Sequence, residues 1–149
     1  MDILDSIQWF INSDPKTAII KQTNKKLSKN ELNAIIFESN NSVSNKVTLS
    51  FPLNDNYLFF VTREIRLPVT VKQLLTCIYD FYNEPLLNEN MDNAFKEMED
   101  WKNDIIDYYD GDTTKLTNFD VFTDDCEPDF CGLEYDETID LYTVHIGPE

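Results

Sequence analysis

The stretch from Val47 to Asn83 constrains this chain most, because two hydrophobic periods follow one another in it, first a period of two and then one of 3.6. Val47, Leu49 and Phe51 alternate with polar residues, as a half-buried strand does. A turn at Pro52–Asn56 leads to Tyr57–Leu67, rich in aromatic and β-branched residues, and so short a connection favours an antiparallel hairpin. Arg63 and Arg66 straddle the faces of a regular return strand. Pro68 stops that strand, and Thr70 caps a helix from Val71 to about Asn83. The stripe of Val71, Leu74, Leu75, Ile78, Phe81 and Tyr82 is wide enough to lie across the hairpin. A sheet with one covered face and a helix to cover it predict an α+β domain.

The flanking elements are read on the same grounds. Residues 2–12 carry Ile3, Ile7, Phe10 and Ile11 at helical spacing and predict a short amphipathic helix. Asp14-Pro15 opens either a further turn or an extended run over Thr17–Gln22. Ser28-Lys29-Asn30-Glu31 fits a capping box and predicts a helix through about Glu38. A last helix is expected from about Glu89 to Tyr108, with Met91, Ala94, Phe95, Met98, Trp101, Ile105 and Tyr108 on one side. Phe119, Val121 and Phe122 suggest a short strand, and Gly132–Asp136 with Ile139–Ile146 predict a C-terminal hairpin turning at Glu137-Thr138. Tyr142, Val144 and Ile146 share one of its faces. The expected architecture is a small antiparallel sheet from two β-hairpins, with three to four helices packed mainly on one face. Without a linker or repeat, residues 1–149 read as a single domain.

Charge is distributed very unevenly. Nine Lys/Arg face nine Asp/Glu up to Pro85; beyond it only Lys96, Lys102 and Lys115 face nineteen acids, so the whole net charge of −16 belongs to the second half. Disordered acidic tails lack aromatics, whereas this half carries Phe95, Trp101, Tyr108, Tyr109, Phe119, Phe122, Phe130, Tyr135 and Tyr142. It is expected to fold, with carboxylates as a solvated shell over an aromatic interior. Such a surface repels nucleic acid and anionic lipid and attracts cations or basic proteins. The basic run Lys16, Lys21, Lys25, Lys26 and Lys29 has few interleaved aromatics, which argues against direct nucleic-acid binding. No apolar run reaches membrane-spanning length, and the first residues are acidic where a signal peptide needs bases; an intracellular protein is expected. Three cysteines, one of them distant, fit reduced thiols better than a disulfide framework.

Motifs that carry chemistry are sparse. Cys126, Cys131 and the sole histidine, His145, offer three potential zinc ligands, with a carboxylate or Cys77 as the fourth. The spacing is not that of a standard knuckle, and neighbouring acids disfavour the thiolate. Asp110-Gly111-Asp112 with Thr114, Asn118 and Asp120 has the density of oxygens of a calcium loop. Lys115 and Val121 stand where that loop needs glycine and glutamate. There is no nucleophile elbow, glycine-rich phosphate loop or zinc-protease helix, and no cofactor is expected.

The segment Thr70–Leu86, with Cys131-Gly132-Leu133-Glu134-Tyr135 and His145-Ile146-Gly147-Pro148-Glu149, resembles uncharacterised proteins of giant DNA viruses of the mimivirus type, over about the C-terminal two-thirds of the chain. The resemblance implies a product acting in the host cytoplasm, at the viral factory, or packaged in the virion. It assigns a role to no residue.

The function expected first is a non-enzymatic acidic interaction module for a basic protein partner. Trp9 is its candidate anchor, and Asp92, Glu97, Asp100, Asp104, Asp124 and Asp125 are its candidate contacts. A small enzyme or metal-dependent regulator near Cys126, Cys131 and His145 is one alternative. A DNA mimic, with carboxylates in two rows along an elongated surface, is the other.

Overall fold

The structure is a computed structural model that describes residues 2–38, 45–54, 58–122 and 128–147. Helix α1 (Asp2–Asp5) precedes three short antiparallel strands, β1 (Ile7–Gln8), β2 (Ile19–Ile20) and β3 (Lys25–Lys26). Then come α2 (Lys29–Leu32), β4 (Ile35–Phe37), β5 (Lys46–Pro52), β6 (Phe60–Arg66) and β7 (Val69–Thr70), which pairs back on β4. Helices α3 (Val71–Asn83), α4 (Asn88–Ala94) and α5 (Glu99–Tyr108) follow, then 3-10 turns at Thr113–Lys115 and Asn118–Val121, and last β8 (Asp129–Asp136) and β9 (Leu141–Gly147). The protein is a mixed α+β fold.

Two hairpins form the main sheet, in the order β6-β5-β9-β8. Within each hairpin the strands are antiparallel, but β5 and β9 meet in parallel, with Leu49 beside Tyr142 and Ser50 beside Thr143. The sheet is therefore mixed, where an antiparallel one was expected. Sequence patterns mark each hairpin but not the sense in which two hairpins join.

Helix α3 covers the face of Leu49 and Phe51. Its six stripe residues, Val71, Leu74, Leu75, Ile78, Phe81 and Tyr82, are all buried. Phe81 stacks on Phe51 at 4.3 Å between ring centroids, and the Tyr82 hydroxyl donates to the Pro52 carbonyl at 2.7 Å. Thr70 and Gln73 form a reciprocal capping box that satisfies the first amides of the helix. Arg63 lies on this covered face. Its guanidinium sits 5.3 Å from the centre of the Phe81 ring and binds Glu84 through both nitrogens, at 3.1 and 3.3 Å. Arg66 is exposed on the opposite face.

Four expected elements differ. Residues 2–12 do not form one helix, since α1 ends at Asp5 and β1 begins at Ile7. Ile7, Trp9 and Ile11 are buried while Gln8 and Phe10 are exposed, which is the period of a strand. The capping box at Ser28 and Glu31 is present, yet α2 stops at Leu32 because Ile35–Phe37 pairs with Val69 and Thr70. The helix expected over residues 89–108 is broken between Ala94 and Glu99, where Glu97 adopts a left-handed φ of 64°. The buried Asn54 amide donates to the carbonyls of Ala94 and Asn93, at 3.1 and 3.5 Å; those are the acceptors a continuous helix would need. Residues 118–121 form a 3-10 turn in place of a strand, capped reciprocally by Thr117 and Asp120.

The C-terminal hairpin begins earlier than expected, at Asp129, and turns over Glu137–Asp140. Its first strand is irregular between Phe130 and Leu133, where Gly132 has a φ of 94°. A Cβ at that glycine would come within 3.2 Å of the Asp5 carboxylate. A side chain there would be strained in φ and would push the Asp5 carboxylate aside by a few tenths of an ångström.

Candidate functional site: an acidic aromatic cleft on the last helix

Helix α5 is amphipathic, but none of its residues is fully buried. Trp101, Ile105 and Ile106 are half-buried, whereas Glu99, Asp100, Asp104 and Asp107 are exposed. The helix lies against the 118–121 turn, and the Trp101 indole donates to the Asp120 carbonyl at 2.9 Å. The Asp120 carboxylate accepts from the Thr117 amide at 2.8 Å and from the Tyr109 hydroxyl at 3.1 Å. Burial, with the Asp120 charge second, pushes the Tyr109 hydroxyl up to about 12, so it remains a proton donor. Tyr108 is 75 % exposed and meets Tyr109 edge-on at 5.0 Å.

A cleft of about 470 Å³ opens here, lined by Trp101, Asp104, Ile105, Tyr108, Tyr109 and Asp120. Aromatic faces are attractive to cations, and the two carboxylates add the matching charge. No Lys or Arg lies in the lining.

Glu99 and Asp100 lie in the first turn of α5, where the helix dipole favours acids, but toward the end of the helix the balance turns unfavourable. Asp100, Asp104 and Asp107 follow at four- and three-residue steps, so like charges are neighbours. Asp107 lies in the last turn, which holds no basic residue, at the negative end of the helix dipole. Beyond it Gly111, at a φ of 82°, donates to the Ile106 carbonyl at 2.9 Å and ends the helix amid Asp110 and Asp112. Among the described residues Lys102 pairs only with Asp92, at 4.0 Å, and that carboxylate is almost wholly in solvent.

Of the residues anticipated from the sequence, Asp104 lines the cleft, Asp100 is exposed on the same helix, Glu97 in the break before it and Asp92 on α4. Asp124 and Asp125 lie outside the described residues. Trp9 is not a surface anchor. Only 2 % of it is exposed, its ring meets Phe130 at 6.3 Å and its indole donates to the Ser13 carbonyl. The aromatic signal on the surface belongs to Tyr108, which sequence reasoning placed inside. Its neighbour Tyr109 takes the inward position, and that choice is set by Asp120, eleven residues further on.

Cys126, the first of the three potential zinc ligands, also lies outside the described residues. The Cys131 thiol contacts the carbonyls of Asp129 and Gly147, each at 3.5 Å, and His145 is exposed on β9. No group of three or more metal-ligating side chains is found among the described residues. In the would-be calcium loop, Asp112 accepts from the Thr114 amide, Asp120 caps at Thr117, and the Asn118 side-chain amide turns inward to donate to the Phe81 carbonyl. Cys77, on α3, is half-buried, and burial, aided by Asp80, pushes its thiol up to about 11.

No helix among the described residues is long and apolar enough to cross a membrane. No protein-family model, curated protein or solved structure matches the chain. The fold defines the class alone: an α+β domain on a mixed four-stranded sheet.

Proposed function

We propose that this protein is a non-enzymatic interaction module that holds a basic segment of a partner protein against α5. A Lys or Arg side chain of the partner enters the cleft between Trp101 and Tyr108 and meets Asp104 and Asp120. One observation carries this reading. Helix α5 carries Asp104 and Asp107 in its second half, each a three- or four-residue step from another acid and Asp107 at the disfavoured end of the dipole, beside an aromatic cleft with no cation in its lining. A cationic partner relieves that repulsion where the cleft lining itself supplies no base. The giant-virus resemblance implies an encounter in an infected cell or a virion.

Titration of a fluorescein-labelled Arg-rich decapeptide into the full chain tests the reading. Anisotropy is expected to show binding that weakens steeply from low to physiological salt, with a change in the fluorescence of Trp101. Asp104→Asn with Tyr108→Ala should weaken it about tenfold, consistent with a few contacts of about 0.5–1 kcal/mol each. Binding that ignores both salt and these substitutions would refute it.

A further inference from the structure

The main sheet ends on one side at β6, beside which no further strand lies among the described residues. The Leu53 amide donates to the Phe59 carbonyl and the Leu67 amide to the Asn45 carbonyl, at 2.9 and 2.8 Å. These bonds fix the parity of the ladder: odd-numbered residues of β6 turn their backbone groups toward β5, and Thr62, Glu64 and Arg66 turn theirs outward. Those outward groups have no strand partner among the described residues. Side chains of the odd-numbered residues point to the face that α3 covers.

A cleft of about 750 Å³ opens at this edge, between Arg63 and Glu64 of β6 and the helix α3. Its far side is the row Lys72, Thr76 and Asp80, one helical step of four apart, and Cys77 lines it as well. The same row also borders a second, smaller cavity on the other side, so it stands as a ridge. Lys72 and Asp80 are exposed, and neither makes an ion pair among the described residues. They are eight residues apart on the helix, about 12 Å at 1.5 Å per residue. In an extended chain the same distance spans about four residues, and residues four apart lie on one side of a strand.

We infer that this cleft binds an extended peptide segment of another protein, added to β6 as an antiparallel fifth strand. The segment carries an acid over Lys72, a small apolar residue over Thr76 and Cys77, and a base over Asp80, each two residues from the next. Because α3 begins near the end of β6 and its Glu84 reaches back to Arg63, an antiparallel segment runs from Lys72 toward Asp80. The acid therefore comes first. This site is separate from the α5 cleft and rests on none of its residues.

The test uses the full chain and the blocked peptide Thr-Asp-Thr-Val-Thr-Lys-Thr, with Thr-Lys-Thr-Val-Thr-Asp-Thr as a control of identical composition. The first is expected to shift the backbone NMR signals of Thr62, Glu64 and Arg66 and to bind about tenfold more tightly than the control, two rim charge pairs being about 1.4 kcal/mol together. The double variant Lys72→Asp, Asp80→Lys should invert the preference. N-methylation of the two central threonines of the peptide, whose amides face β6, should abolish binding. The inference is overturned if neither peptide moves those signals at millimolar concentration, if N-methylation leaves affinity unchanged, or if the variant keeps the original preference. Concentration-dependent protection of the same amides without peptide would assign the edge to a second copy of this chain, and would overturn it too.

Discussion

Helix α3 buries six side chains and helix α5 buries none fully, although both carry apolar residues at three- and four-residue steps. The difference lies in what each helix meets. Phe81 and Tyr82 of α3 fall on Phe51 and the Pro52 carbonyl of the sheet, and its first amides are satisfied by its own Thr70 and Gln73. The partner of α5 is a 3-10 turn, with one indole and one phenol reaching Asp120. The first helix holds the fold together. The second is displayed by it, with uncompensated acids and Tyr108 turned outward.

Core truncation should give the largest contrast. Phe81→Ala removes a fully packed ring and is expected to cost about 3–5 kcal/mol in chemical denaturation, whereas Tyr108→Ala should change stability by less than about 0.5 kcal/mol. Comparable losses at the two positions would erase the distinction. Asn54→Ala tests the break that frees α5 from α4. Loss of its bonds to the Asn93 and Ala94 carbonyls is expected to cost about 1–3 kcal/mol, with slower amide exchange at Glu97 and Met98 if the two helices fuse. The ion pair of Arg63 and Glu84 is about two-fifths exposed on each side, so Glu84→Gln should cost under about 1 kcal/mol.

Cys77 supplies a finer test of burial beside α3. Its thiol is raised from 9.0 to about 11, so the folded state holds that proton more tightly than the unfolded chain. The associated stability is complete below pH 9 and is lost as pH rises toward 11. Cys77→Ala should therefore flatten the alkaline fall in melting temperature over that window. Iodoacetamide labelling of the Cys77 peptide, followed by mass spectrometry, should keep accelerating up to about pH 11. A plateau near pH 9 would mean an open thiol.

Legibility follows the range over which each feature is encoded. The hairpin of β5 and β6 and the helix after it were readable because their periods and the Thr70 cap lie within one continuous stretch. The first segment misled, because Ile7, Phe10 and Ile11 fit a helix while Ile7, Trp9 and Ile11 fit a strand equally well. Pairing decides between them: β1 lies against β2, and just beyond it the Phe130 amide donates to the Trp9 carbonyl at 2.8 Å. Asn54 breaks the last helix from some forty residues away, and no local signal at Glu97 announces it. The acidity of α5 was plain, but its cleft needs Asp120, brought in by a turn that aromatic spacing had suggested was a strand.

Asp107→Lys examines the displayed helix most directly, because stability and binding should move in opposite directions. A cation in the last turn of α5 should stabilise the isolated protein by about 0.5–1 kcal/mol, seen as a higher melting temperature at low salt. Its affinity for the Arg-rich decapeptide should fall several-fold. An unchanged affinity in a better-stabilised protein would contradict the assignment of α5 as the face that holds a basic partner.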